Sequence, residues 1–103
     1  MKKKLGITVT NENTFVHLLG LAKAAKKAAV DTDIFLTGEG VRLTQDTGFQ
    51  ELLKISSRIG VCEVSYNGFG YKKENLPELR NKDFVTQMRN AEMVEKCDRY
   101  VLL

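Results

Sequence analysis

The sequence contains one histidine, two cysteines, one proline and no tryptophan in 103 residues. A single histidine excludes a histidine dyad or a metal centre built on several histidines within one chain. Two cysteines cannot form a dense disulfide framework. Cys62 and Cys97 are far apart and make no Cys-x-x-Cys motif, which leaves a thioredoxin-type dithiol unsupported. No apolar run approaches the roughly 18 residues that a membrane helix needs. Charge of one sign is also lacking: 16 Lys and Arg are mixed with 13 Asp and Glu, for a net +3. The basic groups are small, at Lys2 to Lys4, at Lys23, Lys26 and Lys27, and at Lys72-Lys73. Nucleic acid is therefore not expected as the main partner. After Met1-Lys2-Lys3-Lys4, the stretch Leu5 to Thr10 is too short and too polar for a signal peptide, so a cytoplasmic protein without an integral membrane segment is expected.

Apolar residues make up 43% and charged residues 28%, which is a globular composition rather than a disordered one. The length suits one domain over residues 1–103, able to bury roughly two thirds of its unfolded surface. Leu5 to Thr10 is short, apolar and rich in β-branched residues, and predicts a buried strand. Asn11-Glu12-Asn13 supplies capping side chains. From Thr14 to Ala29 the period changes: Phe15, Leu18, Leu19, Ala22, Ala25 and Ala29 share one helical face. Asp33 to Thr37 predicts a second strand, and Gly38-Glu39-Gly40 a turn after it. Thr47 with Gln50 signals the cap of a second helix, which carries Phe49, Leu52, Leu53 and Ser56 and closes at Gly60.

Val61 to Val64 predicts a third strand. Ser65 to Arg80 has no clear period and holds Tyr66, Phe69 and Tyr71, a stretch expected to be functional or at an interface. Asn81 is read as the cap of a third helix with Phe84, Met88, Ala91, Val94 and Cys97 on its apolar stripe, before a last strand at Tyr100 to Leu103. Strands alternating with crossovers predict an α/β fold: a three-layer α/β/α domain with a small parallel sheet of four or five strands, flavodoxin-like in outline.

In such sheets, ligands gather at the carboxyl ends of the strands. That edge receives Thr10 to Asn13, Thr37 to Gly40 and Cys62 to Asn67. Cys62 is the sharpest candidate for chemistry, because a thiol near loop or helix amides is favoured as thiolate and can accept a persulfide. The competing reading is a small buried hydrophobe. Cys97 fits a core stripe. His17 reads as a boundary residue, and Glu63 as a carboxylate at a strand end. Asn11, Gly38, Glu39, Gly40, Ser65 and Tyr66 are the candidate site-lining residues. Gly38-Glu39-Gly40 is neither a dinucleotide fingerprint nor a Walker motif, so no cofactor and no metal are expected.

Several stretches together resemble the DsrE/DsrF-like small α/β proteins: Leu5-Gly6-Ile7-Thr8-Val9-Thr10, Gly20-Leu21-Ala22-Lys23-Ala24-Ala25, Asp33 to Val41, Val61-Cys62-Glu63-Val64-Ser65-Tyr66 and Arg89-Asn90-Ala91-Glu92-Met93. The resemblance covers nearly the whole chain. It implies a cytoplasmic parallel-sheet protein assembled as a homotrimer or homohexamer. Some members of that family pass sulfur as a cysteine persulfide, and their reactive cysteine follows a strand where Cys62 stands here. The resemblance thus implies a sulfur relay or sulfur carrier, a possible sulfurtransferase, exchanging with sulfur donor or acceptor proteins. The alternative is a non-catalytic oligomeric binding or scaffold protein of the same fold. Family members often end the first helix in glycine, where this chain has Ala29-Val30.

Overall fold

The computed structural model describes residues 3–103; Met1 and Lys2, the start of the first basic group, lie outside the described residues. Five strands form one all-parallel sheet: β1 (Lys4–Val9), β2 (Asp31–Leu36), β3 (Arg58–Cys62), β4 (Phe84–Val85) and β5 (Arg99–Leu102), in the order β4-β3-β2-β1-β5. The helices are α1 (Phe15–Lys27), α2 (Phe49–Ile55), α3 (Glu63–Gly68) and α4 (Gln87–Lys96). A 3-10 segment, Gly38–Gln45, follows β2. The chain steps in one direction from β1 to β4, then crosses back to place β5 beside β1. Right-handed crossovers therefore put α4 on the face opposite α1 and α2, which gives three layers.

Side-chain alternation supports those layers. In β1, Gly6 and Thr8 face α4. A Cβ on Gly6 would lie 3.0 Å from Cys97 Sγ and 3.1 Å from Met93 Cγ, so the missing side chain lets α4 settle close to the sheet. The Thr8 hydroxyl donates to Asn90 Oδ1 at 2.6 Å. On the same face Asp33 is ion-paired with Arg89 of α4, both side chains mostly buried. The core is one contiguous cluster in which Ile7, Val9, Ile34, Phe35, Leu36 and Val61 of the sheet meet Leu18, Ala22, Leu52 and Met93 of the helices. Such near-continuous apolar strands are what a sheet covered on both faces requires.

The α1 helix ends in a complete Schellman closure. The Ala29 amide donates to Lys26 O at 3.1 Å and the Val30 amide to Ala25 O at 2.8 Å. Ala29 itself sits at φ 60°, in the left-handed region that favours glycine.

Three sequence expectations are corrected. Gly60 does not close the second helix; it lies inside β3, paired with Phe35, where a Cβ would come 3.1 Å from Val85 Cγ2. The third strand accordingly spans Arg58–Cys62, and Glu63 opens α3 instead of continuing a strand. The last helix starts later than Asn81 and with a different phase: Phe84 belongs to β4, Thr86 caps α4 by accepting from the Met88 amide at 3.3 Å, and Met93 is the buried residue. Met88 and Val94 are exposed, because periodic spacing fixes a helix but not which side of it meets the sheet.

Candidate functional site

The sheet's carboxyl edge brings the ends of β2 and β3 together under the start of α4. Cys62 ends β3 and is the N-cap residue of α3, so its sulfur stands at a strand end and a helix start at once. It is 5% exposed. Thr37 follows β2, Ser65 lies in the first turn of α3, and Gln87 is the first residue of α4.

These residues form one hydrogen-bonded set. The Gly38 amide donates to Ser65 Oγ at 3.0 Å. The Gln87 side-chain amide donates to Thr37 Oγ1 at 2.9 Å and reaches Cys62 Sγ at 4.0 Å. Each hydroxyl thus accepts from a nitrogen donor and keeps its own proton to offer to the sulfur. Burial acts to raise the Cys62 pKa. The Ser65 hydroxyl and amide, the Thr37 hydroxyl and the Val64 amide act against it and prevail, so the thiol titrates below its ordinary value. The Val64 and Ser65 amides stand near the sulfur without closing a full capping hydrogen bond. Cys97 behaves oppositely: burial, then the nearby Asp33 carboxylate, push its thiol up.

Glu63 is adjacent to the thiol in sequence, and a lone carboxylate there would oppose the thiolate. It is instead ion-paired with Lys73, in the segment after α3. Lys73 also lies over the Phe84 ring, 4.9 Å from its centroid.

The other expected site residues are placed as follows. Gly38 takes φ 56°, a conformation that suits glycine, and this aims its amide at Ser65. Gly40 is buried against the chain: a Cβ would lie 2.1 Å from Val9 O, so its role is close packing between the 3-10 segment and β1. Glu39 is exposed on that segment. Asn11 accepts from the Asn13 amide at 2.8 Å, an Asx turn at the start of α1. Tyr66 is fully buried and packs against Tyr71 and Phe84, with its hydroxyl donating to Lys72 O at 3.1 Å. It belongs to the core and does not line the edge. Of the three aromatics in the stretch expected to be functional or at an interface, Phe69 is the exposed one, and it stacks on half-buried Tyr71 beneath Arg42.

Cys62, Ser65 and Gly38 are therefore brought together, whereas Asn11, Gly40 and Tyr66 serve local packing. Sequence reasoning missed Thr37 and Gln87 as neighbours of the thiol. Thr37 had a usable signal, its place at the end of the strand beside β3. Gln87 had none while the last helix was read from Asn81.

Among the described residues, no cluster of three or more His, Cys, Asp or Glu is arranged to hold a metal ion, and no helix is long and apolar enough to cross a membrane. The chain matches no protein-family model and no curated protein.

Proposed function

We propose that this protein is a sulfur carrier or sulfur-relay component of the DsrE/DsrF-like kind, acting in the cytoplasm, with Cys62 as the thiol that holds the sulfur. The observation that carries the reading is the Cys62 sulfur at the carboxyl end of β3, its pKa lowered by hydroxyl and amide donors that outweigh its burial. A thiol on such a footing is more nucleophilic at neutral pH than an ordinary buried cysteine.

The chemistry balances without a cofactor. The Cys62 thiolate attacks the outer sulfur of a donor persulfide. A new S–S bond forms at Cys62, the donor's S–S bond breaks, and the donor leaves as a thiolate. Transfer onward is the same exchange in reverse, with an acceptor thiolate attacking the outer sulfur and Cys62 leaving. The Ser65 and Thr37 hydroxyls would stabilise Cys62 both as attacking and as departing thiolate. Tight closure around the sulfur requires the Gln87 side chain, or the start of α4, to move as a donor approaches.

Incubation with a sulfane-sulfur donor, followed by intact-mass measurement, tests this reading. One sulfur atom should be added, at Cys62. Cys62→Ser should abolish the addition and Cys97→Ser should retain it. A Cys62 that gains sulfur only after unfolding would leave the thiol as core packing, and the scaffold reading would then stand.

Assembly as a homotrimer or homohexamer is part of the same proposal. It is supported by large apolar side chains left on the surface, among them Val16, Val64, Met88 and Leu102. Light scattering at high protein concentration checks it, and a monomer there would reject it.

A further inference from the structure

The edge of the sheet opposite Cys62 has its own set of polar groups, centred on the turn Ser56-Ser57-Arg58 between α2 and β3. Three hollows meet there. The largest, about 500 Å³, is bounded by Ser56, Ser57, Arg58, Arg80 and Lys82 on its polar side. A second, about 300 Å³, shares Ser57 and Arg58, and a third, about 310 Å³, shares Ser56 and Ser57 and adds Lys26 and Lys54. A volume near 500 Å³ is in the range of small-molecule sites.

We propose that this amino-edge hollow binds a small phosphorylated ligand, with Arg58 and Lys82 on the phosphoryl oxygens and the two serine hydroxyls as neutral donors. This inference stands apart from the sulfur chemistry and uses none of its residues.

Three observations carry it. First, Arg58 and Lys82 hold no ion pair among the described residues, whereas Arg80 beside them is paired with Asp83, and Arg89 at the second hollow with Asp33. Of the two carboxylates that border the hollow, Asp83 is committed: it accepts from the Arg80 amide at 2.8 Å. Its charge is offset by the Arg80 guanidinium 4.0 Å away, so that three cations, Arg58, Arg80 and Lys82, face two carboxylates, Asp83 and Glu78. Second, the Ser56 hydroxyl is shielded from water and has no hydrogen-bond partner among the described residues, so no bond holds it back from turning about χ1 toward a ligand in the hollow that Ser56 lines. Buried polar groups are nearly always satisfied, and an orphan of this kind calls for a missing acceptor. Third, the turn is fixed. Ser57 Oγ accepts from the Thr32 amide at 3.1 Å, and the Ser57 amide donates back to Thr32 Oγ1 at 3.3 Å. Because its oxygen is already an acceptor, the Ser57 hydroxyl retains its proton for a ligand. A phosphoryl group, which only accepts when fully ionised, matches a guanidinium, an ammonium and two free hydroxyl protons. Guanidinium and phosphoryl oxygens also pair with two parallel hydrogen bonds.

The experiment is an amide chemical-shift titration of the full chain at near-physiological ionic strength, with inorganic phosphate and with ribose 5-phosphate as probes. Saturable shifts at Ser56, Ser57 and Arg58 are expected. Arg58→Gln should weaken binding about tenfold, as loss of a charge-assisted pair does, and Ser56→Ala should weaken it by a smaller factor. Lys23→Ala, on α1 and paired with Glu51, should change nothing. Tighter binding of the ester assigns the rest of the hollow to the ligand's organic part, and equal binding assigns free phosphate; both support the site. Shifts that do not saturate, or that persist unchanged in Arg58→Gln, mean diffuse counter-ion binding and overturn it. Cys62→Ser should bind the probes as the parent does, so failure here and failure of the sulfur reading are read separately.

Discussion

The Gly38 amide donates to the Ser65 hydroxyl across 3.0 Å, tying the turn after β2 to the first turn of α3. That bond fixes the direction of the hydroxyl proton, since the oxygen's acceptor side is occupied. The proton is left for the Cys62 sulfur.

Ser65→Ala should therefore slow alkylation of Cys62 at neutral pH by roughly three- to tenfold, the worth of one hydrogen bond to an anion. Ser65→Thr keeps the hydroxyl and should keep most of the rate. The check is a timed reaction with iodoacetamide read by mass. Equal rates in Ser65→Ala and the parent would mean that the hydroxyl does not serve the sulfur.

The pH profiles of the two thiols should separate. Reactivity follows the thiolate fraction, which rises with pH through the pKa. Cys62 is lowered, so its half-maximal rate should come at a lower pH than that of a free thiol. Cys97 is raised, so its half-maximum should come later. Site-resolved alkylation between about pH 6 and pH 10 brackets the ordinary thiol value. Coincident profiles would contradict the geometry around Cys62.

Ala29→Gly should stabilise the protein by about 1 kcal/mol. The Schellman closure already places Ala29 at φ 60°, and a left-handed conformation costs an alanine about that much relative to glycine. The midpoint of urea unfolding should rise with an unchanged slope.

Two glycines of one turn should respond differently to alanine. Gly38→Ala faces open space and meets only the left-handed strain, about 1 kcal/mol. Gly40→Ala drives a Cβ into the Val9 carbonyl and should cost about 3 kcal/mol or more, since backbone atoms cannot yield as a side chain can. Thermal unfolding of the two variants side by side gives the ranking; similar losses would mean that the 3-10 segment shifts away from β1.

The first half of the fold was legible because period and composition agreed there. Leu5 to Thr10, the alanine-rich α1 and Asp33 to Thr37 each carried one unmistakable pattern, and the all-parallel layered sheet follows from their alternation. The region after Gly60 was harder for physical reasons. The α3 helix is only six residues long and ends in glycine, too short to express a helical period. A two-residue strand, Phe84–Val85, has no period at all, and its Phe84 was absorbed into a helical stripe. The site inherited the same division. Cys62, Ser65 and Gly38 stood at visible element ends, while Gln87 comes from the helix whose start was displaced, and Tyr66 went to the core because its own short helix was unseen.

The sheet order also sets a sequence of assembly. β1, β2, β3 and β4 are neighbours in chain order, so each can add to the last through a short loop closure. β5 must instead find β1, and Asp98 closes on Lys4 across 94 residues. Pairings this distant in sequence are slow to form and costly in chain entropy. The segment that waits for this step includes α4 and therefore Gln87. The thiol's cover is thus among the last parts to arrive and among the first free to leave. A partial opening of α4 and β5, with the first four strands intact, would uncover Cys62 without global unfolding, and hydrogen exchange should find these two elements in the same low-stability unit.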